Sequence, residues 1–450
     1  MNNTDDSKYI TMTTAPVSKL VLTLSVPTIL SMLITNIYNL ADTHFVGTLG
    51  NGASGAVGIV FGFMAILQAI GFLFGQGSGS ILSRRLGQLD YEGASQTAST
   101  AFVTSFILSL IAEVICLSNL HGLVMLLGST DTIAPYAETY IFYILLAAPF
   151  VTTSFTLNNI LRYEGRAALG MIGMMAGALL NIVGDYYLII VRGMGITGAG
   201  ISTAVSQLIS FCILLSMFVF NKTQCKLSLK NCLFTFRNLS NIITTGCPSL
   251  LRQALQSITT IILNTYAGAY GDEAVSAMSI VSRITFFTFS VAIGIGQGFQ
   301  PVSGFNYGAK KYDRLKKAFL FTFIFSELLL TILNIGLEIF SGDLIGVFRN
   351  DATVILIGTR ALRLQAAAMM FLPFAMVTEM LLQSTGQKVS AIILSSLRNG
   401  IFFIPVLIIM ANVRGLSGIQ EAQPISCVIS IIPSLYYYFT FFGKLEKGKQ

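Results

Sequence analysis

The chain is predicted to be an all-α membrane protein. Twelve transmembrane helices are expected in two parallel six-helix lobes, related by a pseudo-two-fold axis along the membrane normal. Three observations carry this. Of 450 residues, 54% are hydrophobic and 10% charged, with mean hydropathy +0.74, whereas soluble domains carry about 25% charged residues. The apolar stretches run about 20–28 residues, and a helix needs about 20 to cross the hydrocarbon core. They lack the period-two alternation of a closed β-barrel, the other spanning solution. Finally, residues 25–91 and 246–312 are two gapless copies of one pattern. Pro27 pairs with Pro248, Gly50 with Gly271, Gly75-Gln76-Gly77 with Gly296-Gln297-Gly298, Gly87 with Gly308, and Tyr91 with Tyr312. Six spans in each copy return the chain to its starting side, so the copies are parallel.

Residues 1–19 are polar and read as a cytoplasmic tail. The apolar run that follows is too long for a signal-peptide core and has no A-x-A-like cleavage site, so it reads as a retained first helix. Spans are expected at 20–46, 55–82, 95–118, 133–158, 167–190, 197–220, 240–268, 276–303, 317–340, 353–381, 388–411 and 418–442. The first six make an N-lobe (20–220) and the last six a C-lobe (240–442). Between them, 221–239 is a cytoplasmic linker carrying Lys222, Lys226, Lys230 and Arg237, and 443–450 is a cytoplasmic C-terminal tail. Proline inside a helix removes a hydrogen bond and bends it. The repeat-matched Pro27 and Pro248 are therefore candidate hinges.

The net charge of +7 calls for no nucleic-acid partner. Most Lys and Arg fall in the N-terminal tail, the even-to-odd loops and the C-terminal tail, among them Arg84, Arg85, Lys310, Lys311, Lys444 and Lys449. Arg192, Arg349 and Arg414 fall in the opposite loops. The positive-inside rule then puts both termini in the cytoplasm, with the chain in the plasma (inner) membrane. The six cysteines match no zinc spacing, and only His44 and His121 are present, so no metal or haem cofactor is expected. No nucleophile–His–acid set, His-Glu-x-x-His or P-loop occurs, which argues against an intramembrane enzyme and against ATP drive.

A carboxylate within the bilayer is costly unless paired, protonated or facing water. Asp42 lies roughly 33 Å along its helix from the cytoplasmic end, and Asp185 roughly 27 Å, so both are expected in the outer half of the membrane. Tyr38 and Asp42 are spaced i,i+4, as are Asn181 and Asp185, giving each acid a second oxygen on the same face. Such ligands suit a hard cation, and two neighbouring carboxylates resist ionising together. The repeat is a control: Asp42 aligns with Leu263 and Asp185 with Pro405, so the helices do not need the acids to fold. Glu379, near the cytoplasmic end of its span, is read as a counter-charge for cationic substrates, as a partner of Arg398, or as an interfacial residue snorkelling to the headgroups.

Three segments extend the argument. Gly294-Ile-Gly-Gln-Gly-Phe-Gln-Pro-Val-Ser-Gly-Phe-Asn-Tyr-Gly-Ala-Lys310, Leu157-Asn-Asn-Ile-Leu-Arg-Tyr-Glu-Gly165 with Asn181-Ile-Val-Gly-Asp185, and Gln383-Ser-Thr-Gly386 with Arg398-Asn-Gly-Ile-Phe-Phe-Ile-Pro405 closely resemble the multidrug and toxic compound extrusion (MATE) family. The resemblance runs from about residue 17 to 442. It implies a bacterial two-lobe antiporter that expels organic, often cationic amphipathic compounds in exchange for H⁺ or Na⁺ and works as a monomer. It also implies an N-lobe cation or proton site at Tyr38, Asp42, Asn158, Asn181, Asp185 and Thr203, with Na⁺ as the possible metal. The seventh helix departs from some sodium-coupled branches by offering Gln253 and Gln256 where they carry a carboxylate. Those two, with Glu379 and Arg398, are the expected substrate-cavity residues. A flippase for an amphipathic lipid-linked precursor is the alternative within transport.

Overall fold

A computed structural model describes residues 3–220 and 222–448. Met1, Asn2, Asn221, Lys449 and Gln450 lie outside it, and with them the extreme ends of the two expected tails and the first linker residue. All regular secondary structure among the described residues is helical. In order the helices are α1 (Asn3–Thr14), α2 (Val17–Gly47), α3 (Asn51–Gly87), α4 (Tyr91–Ser118), α5 (Leu120–Leu126), α6 (Ala134–Tyr163), α7 (Ala167–Asp185), α8 (Gly195–Val219) and α9 (Phe236–Gly268). They continue as α10 (Asp272–Gly308), α11 (Tyr312–Ile339), α12 (Ser341–Phe348), α13 (Ala352–Met369), α14 (Leu372–Thr385), α15 (Lys388–Ser396), α16 (Phe403–Arg414), α17 (Leu416–Ile429) and α18 (Ile431–Glu446). Single π-helical turns follow α7 (Tyr186–Val191) and α15 (Leu397–Ile401).

All twelve expected spans are helical, and ten described helices or helix runs are long and apolar enough to cross a membrane. An eleventh is the pair α13 and α14, bent by 52° at the break before Pro373. The expected span at 240–268 forms as α9 but is more polar than the others, with Asn241, Thr244, Thr245, Arg252, Gln253 and Gln256 along it. The expected N-terminal tail is largely a helix, α1, whose Met12 is fully buried.

The chain divides into two compact units. The first holds residues 1–12 and 30–250, the second 13–29 and 251–450. The opening halves of α2 and α9 are thus exchanged between the repeats, each changing unit within three residues of Pro27 or Pro248. Close glycine contacts explain where the exchanged halves seat. In the first unit Gly77 of α3 meets the Ile242 carbonyl, and Gly246 of α9 meets the Leu73 carbonyl. In the second, Gly294 and Gly298 of α10 lie against the backbones of Ile29 and Ser25. The Ser25 hydroxyl also donates to the Ile295 carbonyl at 3.2 Å. A methyl group at any of these glycines would collide with main-chain atoms. The second glycine of each Gly-Gln-Gly copy, Gly77 and Gly298, is therefore a bed for a neighbouring backbone, as small residues are at helix contacts in membranes.

Each unit has its own apolar core. In the first it gathers α3, α5 and α6 around Val60, Leu67, Tyr140, Ile144 and Val151, and in the second α9, α10, α13, α16 and α17 around Leu263, Val281, Leu362, Phe403 and Ile419. The linker is strapped to the first unit. The Gln224 and Cys225 N–H groups donate to the Glu164 carboxylate at 3.0 and 2.9 Å. Ser95, Ser99 and Thr100 on α4 accept from Lys226, Ser228 and Leu233. Burial pushes the Glu164 carboxyl above the usual carboxylate range, against the pull of those two donors. Burial likewise lowers the ammonium of Lys8 on α1, and Arg166 adds to the effect.

Candidate functional site

Four helix ends converge in the first unit: the last turns of α2 and α7 and the first turns of α6 and α8. Glycine lets α7 sit close to its neighbours, with Gly173 against Leu214, Gly177 against Ser210, and Gly184 against the Ser202 hydroxyl. That contact brings Asp185, the last residue before a π-helical turn, beside Ser202 and Asp42. Asp185 is fully buried and Asp42 only 8% exposed. Tyr38, one turn before Asp42, lies buried beside both acids. The Tyr140 hydroxyl donates to Asp42 Oδ2 at 3.1 Å. Asn181 Nδ2 donates to Thr203 Oγ1 at 3.1 Å and faces Ser202 Oγ at 3.4 Å, so the amide oxygen is the end left for other partners.

The unmade bonds define the chemistry. Both Asp185 oxygens, Asp42 Oδ1 and Asn181 Oδ1 are buried with no hydrogen-bond partner among the described residues. Leaving a buried charged oxygen unpartnered costs more than any ordinary hydrogen bond returns. Four such acceptors in one place fit a hard cation or a proton.

Of the residues expected at this site, the structure brings together Tyr38, Asp42, Asn181, Asp185 and Thr203. Asn158 does not join them. It lies about 27 Å further along α6 than Tyr140, at 1.5 Å per residue, with its Oδ1 against Gly170. Tyr140 and Ser202 are members that the sequence reading missed. Ser202 adjoins a residue already singled out, whereas nothing distinguished Tyr140 among 16 tyrosines.

The second unit holds a cleft of the opposite character. One part is lined by Gln256, Thr260, Leu263, Gln365, Phe289 and Arg398, and a second, sharing Phe289 and Arg398, by Arg252 and Glu379. Glu379 is paired with Arg252 at 2.5 Å, and both are buried. Its partner is thus Arg252, and not Arg398. The Arg398 guanidinium carbon instead lies over the Phe289 ring, 4.5 Å from its centre. Its position is set by the π-helical turn Leu397–Ile401, where Asn399 Nδ2 donates to Gln256 Oε1 at 2.8 Å and the Asn399 carbonyl accepts from Thr259 at 2.6 Å. Gln253 lines neither part of the cleft. Pro27 and Pro248 lie inside unbroken helices, α2 and α9.

The chain is similar to known proteins over most of its length. A multidrug export protein, MepA, of Staphylococcus saprophyticus is 28% identical over 94% of both chains. A protein of the same name from Staphylococcus aureus (strain N315) is 28% identical over 90% of each. A solved outward-facing conformation of a multidrug resistance MATE family transporter of the MOP superfamily superposes with TM-score 0.92 at 25% identity, covering 97% of this chain and 98% of the other. The MatE family pattern matches twice, at residues 27–187 and 248–409, opening each time on one of the paired prolines. With both repeats matched over most of its length, this chain belongs to the MATE family of membrane transporters, which are not enzymes.

Proposed function

We propose that this protein exports organic amphipathic compounds across the plasma membrane in exchange for H⁺ or Na⁺, with Asp42 and Asp185 as the coupling pair. The observation that carries the reading is the buried cluster of unpartnered oxygens on these acids and Asn181. The export activity named for the staphylococcal relatives supports the direction. The basic residues of the tails and of the even-to-odd loops support cytoplasmic termini.

In this mechanism Tyr140 fixes the Asp42 rotamer by donating to one oxygen and leaves the other facing Asp185. Asn181, its amide committed to Thr203, presents its carbonyl oxygen to the same space. The ionised pair holds Na⁺ or takes up a proton, and loading cancels the repulsion between the carboxylates. That change of local charge favours one arrangement of the lobes over the other, with α2 bending near Pro27 as substrate is released outward. An effector shifts such an equilibrium only through its differential affinity for the two states, and two buried carboxylates supply one.

The test is gradient-driven efflux from proteoliposomes, with Na⁺ and pH varied separately. Asp42→Asn/Asp185→Asn should insert normally and lose ion-driven efflux. Full efflux by this double variant would defeat the assignment.

A further inference from the structure

We infer that the cleft of the second unit binds the anionic group of an amphipathic organic acid, with Arg398 as the residue that receives it. The inference rests on the export reading, because it takes this cleft to be the substrate site, and it names the class of substrate.

The charge of the cleft is the first argument. Its lining contains two guanidiniums, Arg252 and Arg398, and one carboxylate, Glu379. The 2.5 Å pair between Arg252 and Glu379 cancels one charge of each sign. One positive charge remains, on Arg398, which forms no ion pair and no side-chain hydrogen bond among the described residues. A cationic substrate would find its only counter-charge already taken and an arginine in its way.

Geometry supplies the second argument. The guanidinium carbon lies 4.5 Å over the Phe289 ring, and the N–H donors lie in the guanidinium plane, where a planar carboxylate or another oxyanion accepts two at once. Around it stand neutral polar side chains, among them Gln256, Gln365 and Gln423, none of which brings a negative charge. Phe286, Phe289 and Met369 line the same space and suit an apolar, aromatic body. An oxyanion on such a body could be an exported organic acid or a phospholipid headgroup. The mixture of aromatic and amide walls favours the organic acid.

The experiment measures equilibrium binding to the full-length protein in detergent, without an ion gradient. The probes are 1-pyrenebutyrate, its neutral amide and a pyrenyl trimethylammonium of matched length. Wild type should bind the acid about tenfold or more tighter than the amide, as expected for a charge-assisted bidentate contact, and the cation weakest. Arg398→Gln should abolish the acid's advantage, and Arg398→Lys should restore part of it by replacing charge without the fork. Added phosphatidylglycerol should leave acid binding unchanged. Equal affinity for acid and amide in wild type would overturn the inference without need of any variant. So would an unchanged preference in a folded Arg398→Gln, or displacement of the acid by phosphatidylglycerol. Efflux assays separate the two readings. An acid preference that depends on Arg398 without gradient-driven movement sinks the export reading, and efflux of amide and acid alike sinks the anion inference alone.

Discussion

Two repeats of one scaffold carry opposite charge. In the first unit two carboxylates meet with no Lys or Arg paired to them among the described residues, and buried oxygens are left over. In the second, two guanidiniums and one carboxylate line the cleft, and the carboxylate pairs with Arg252, leaving the charge of Arg398 over. Asp42 matches Leu263, which lines the second unit's cleft, and Asn158 matches Glu379. The same helices thus form with or without charge at equivalent positions, so the frame itself does not require it. The duplication explains the frame, and the differences between the copies explain the work.

The comparison breaks most visibly at the acids. Asp42→Asn/Asp185→Asn should abolish gradient-driven efflux in proteoliposomes, while ligand binding in the second unit persists. Next comes the buried pair. Removing one partner of such a pair costs about 3–5 kcal/mol, whereas replacing both by apolar residues is close to neutral. Glu379→Gln should therefore lower the unfolding temperature in detergent markedly, and Arg252→Met/Glu379→Leu should recover most of the loss. If the double variant is as unstable as the single one, the pair is not an isolated unit.

A smaller effect is expected at the linker. The folded-state pKa of Glu164 is raised by burial, so its contribution to stability is present below the ordinary carboxylate range and is lost as pH rises through the raised value. Glu164→Gln cannot ionise, and its stability relative to wild type should improve with rising pH, read by thermal unfolding across a pH series. The smallest effect belongs to Tyr140→Phe. It removes one hydrogen bond to a charged group, worth about 1.5–3 kcal/mol, and should shift the ion concentration for half-maximal efflux without abolishing transport.

Much of this was legible in the residues. Hydropathy located the helices to within a few positions, because a stretch that must satisfy its backbone in lipid has little choice but to be helical. The acids were legible because carboxylates in spans are costly. Partner choice was not. Arg252 and Arg398 were equally available to Glu379, and only the fold, which sets the Arg252 guanidinium 2.5 Å from the carboxylate, decides between them. Asn158 entered through resemblance, and the length of α6 separates it from the cluster. The exchange of helix halves was also hidden. Gly77 and Gly298 announce that a backbone comes close, but not that it comes from the other repeat.

That exchange sets a timetable for synthesis. Residues 13–29 lie against α10, and the Ser25 hydroxyl finds its acceptor, the Ile295 carbonyl, 270 residues later. At about 5–20 residues per second, the first half of α2 waits roughly half a minute at a typical rate before its partner has been made. Neither half of the chain, produced alone, contains all the strands of contact its own unit requires. A gene cut at the linker would have to deliver both pieces to one membrane for either to be completed.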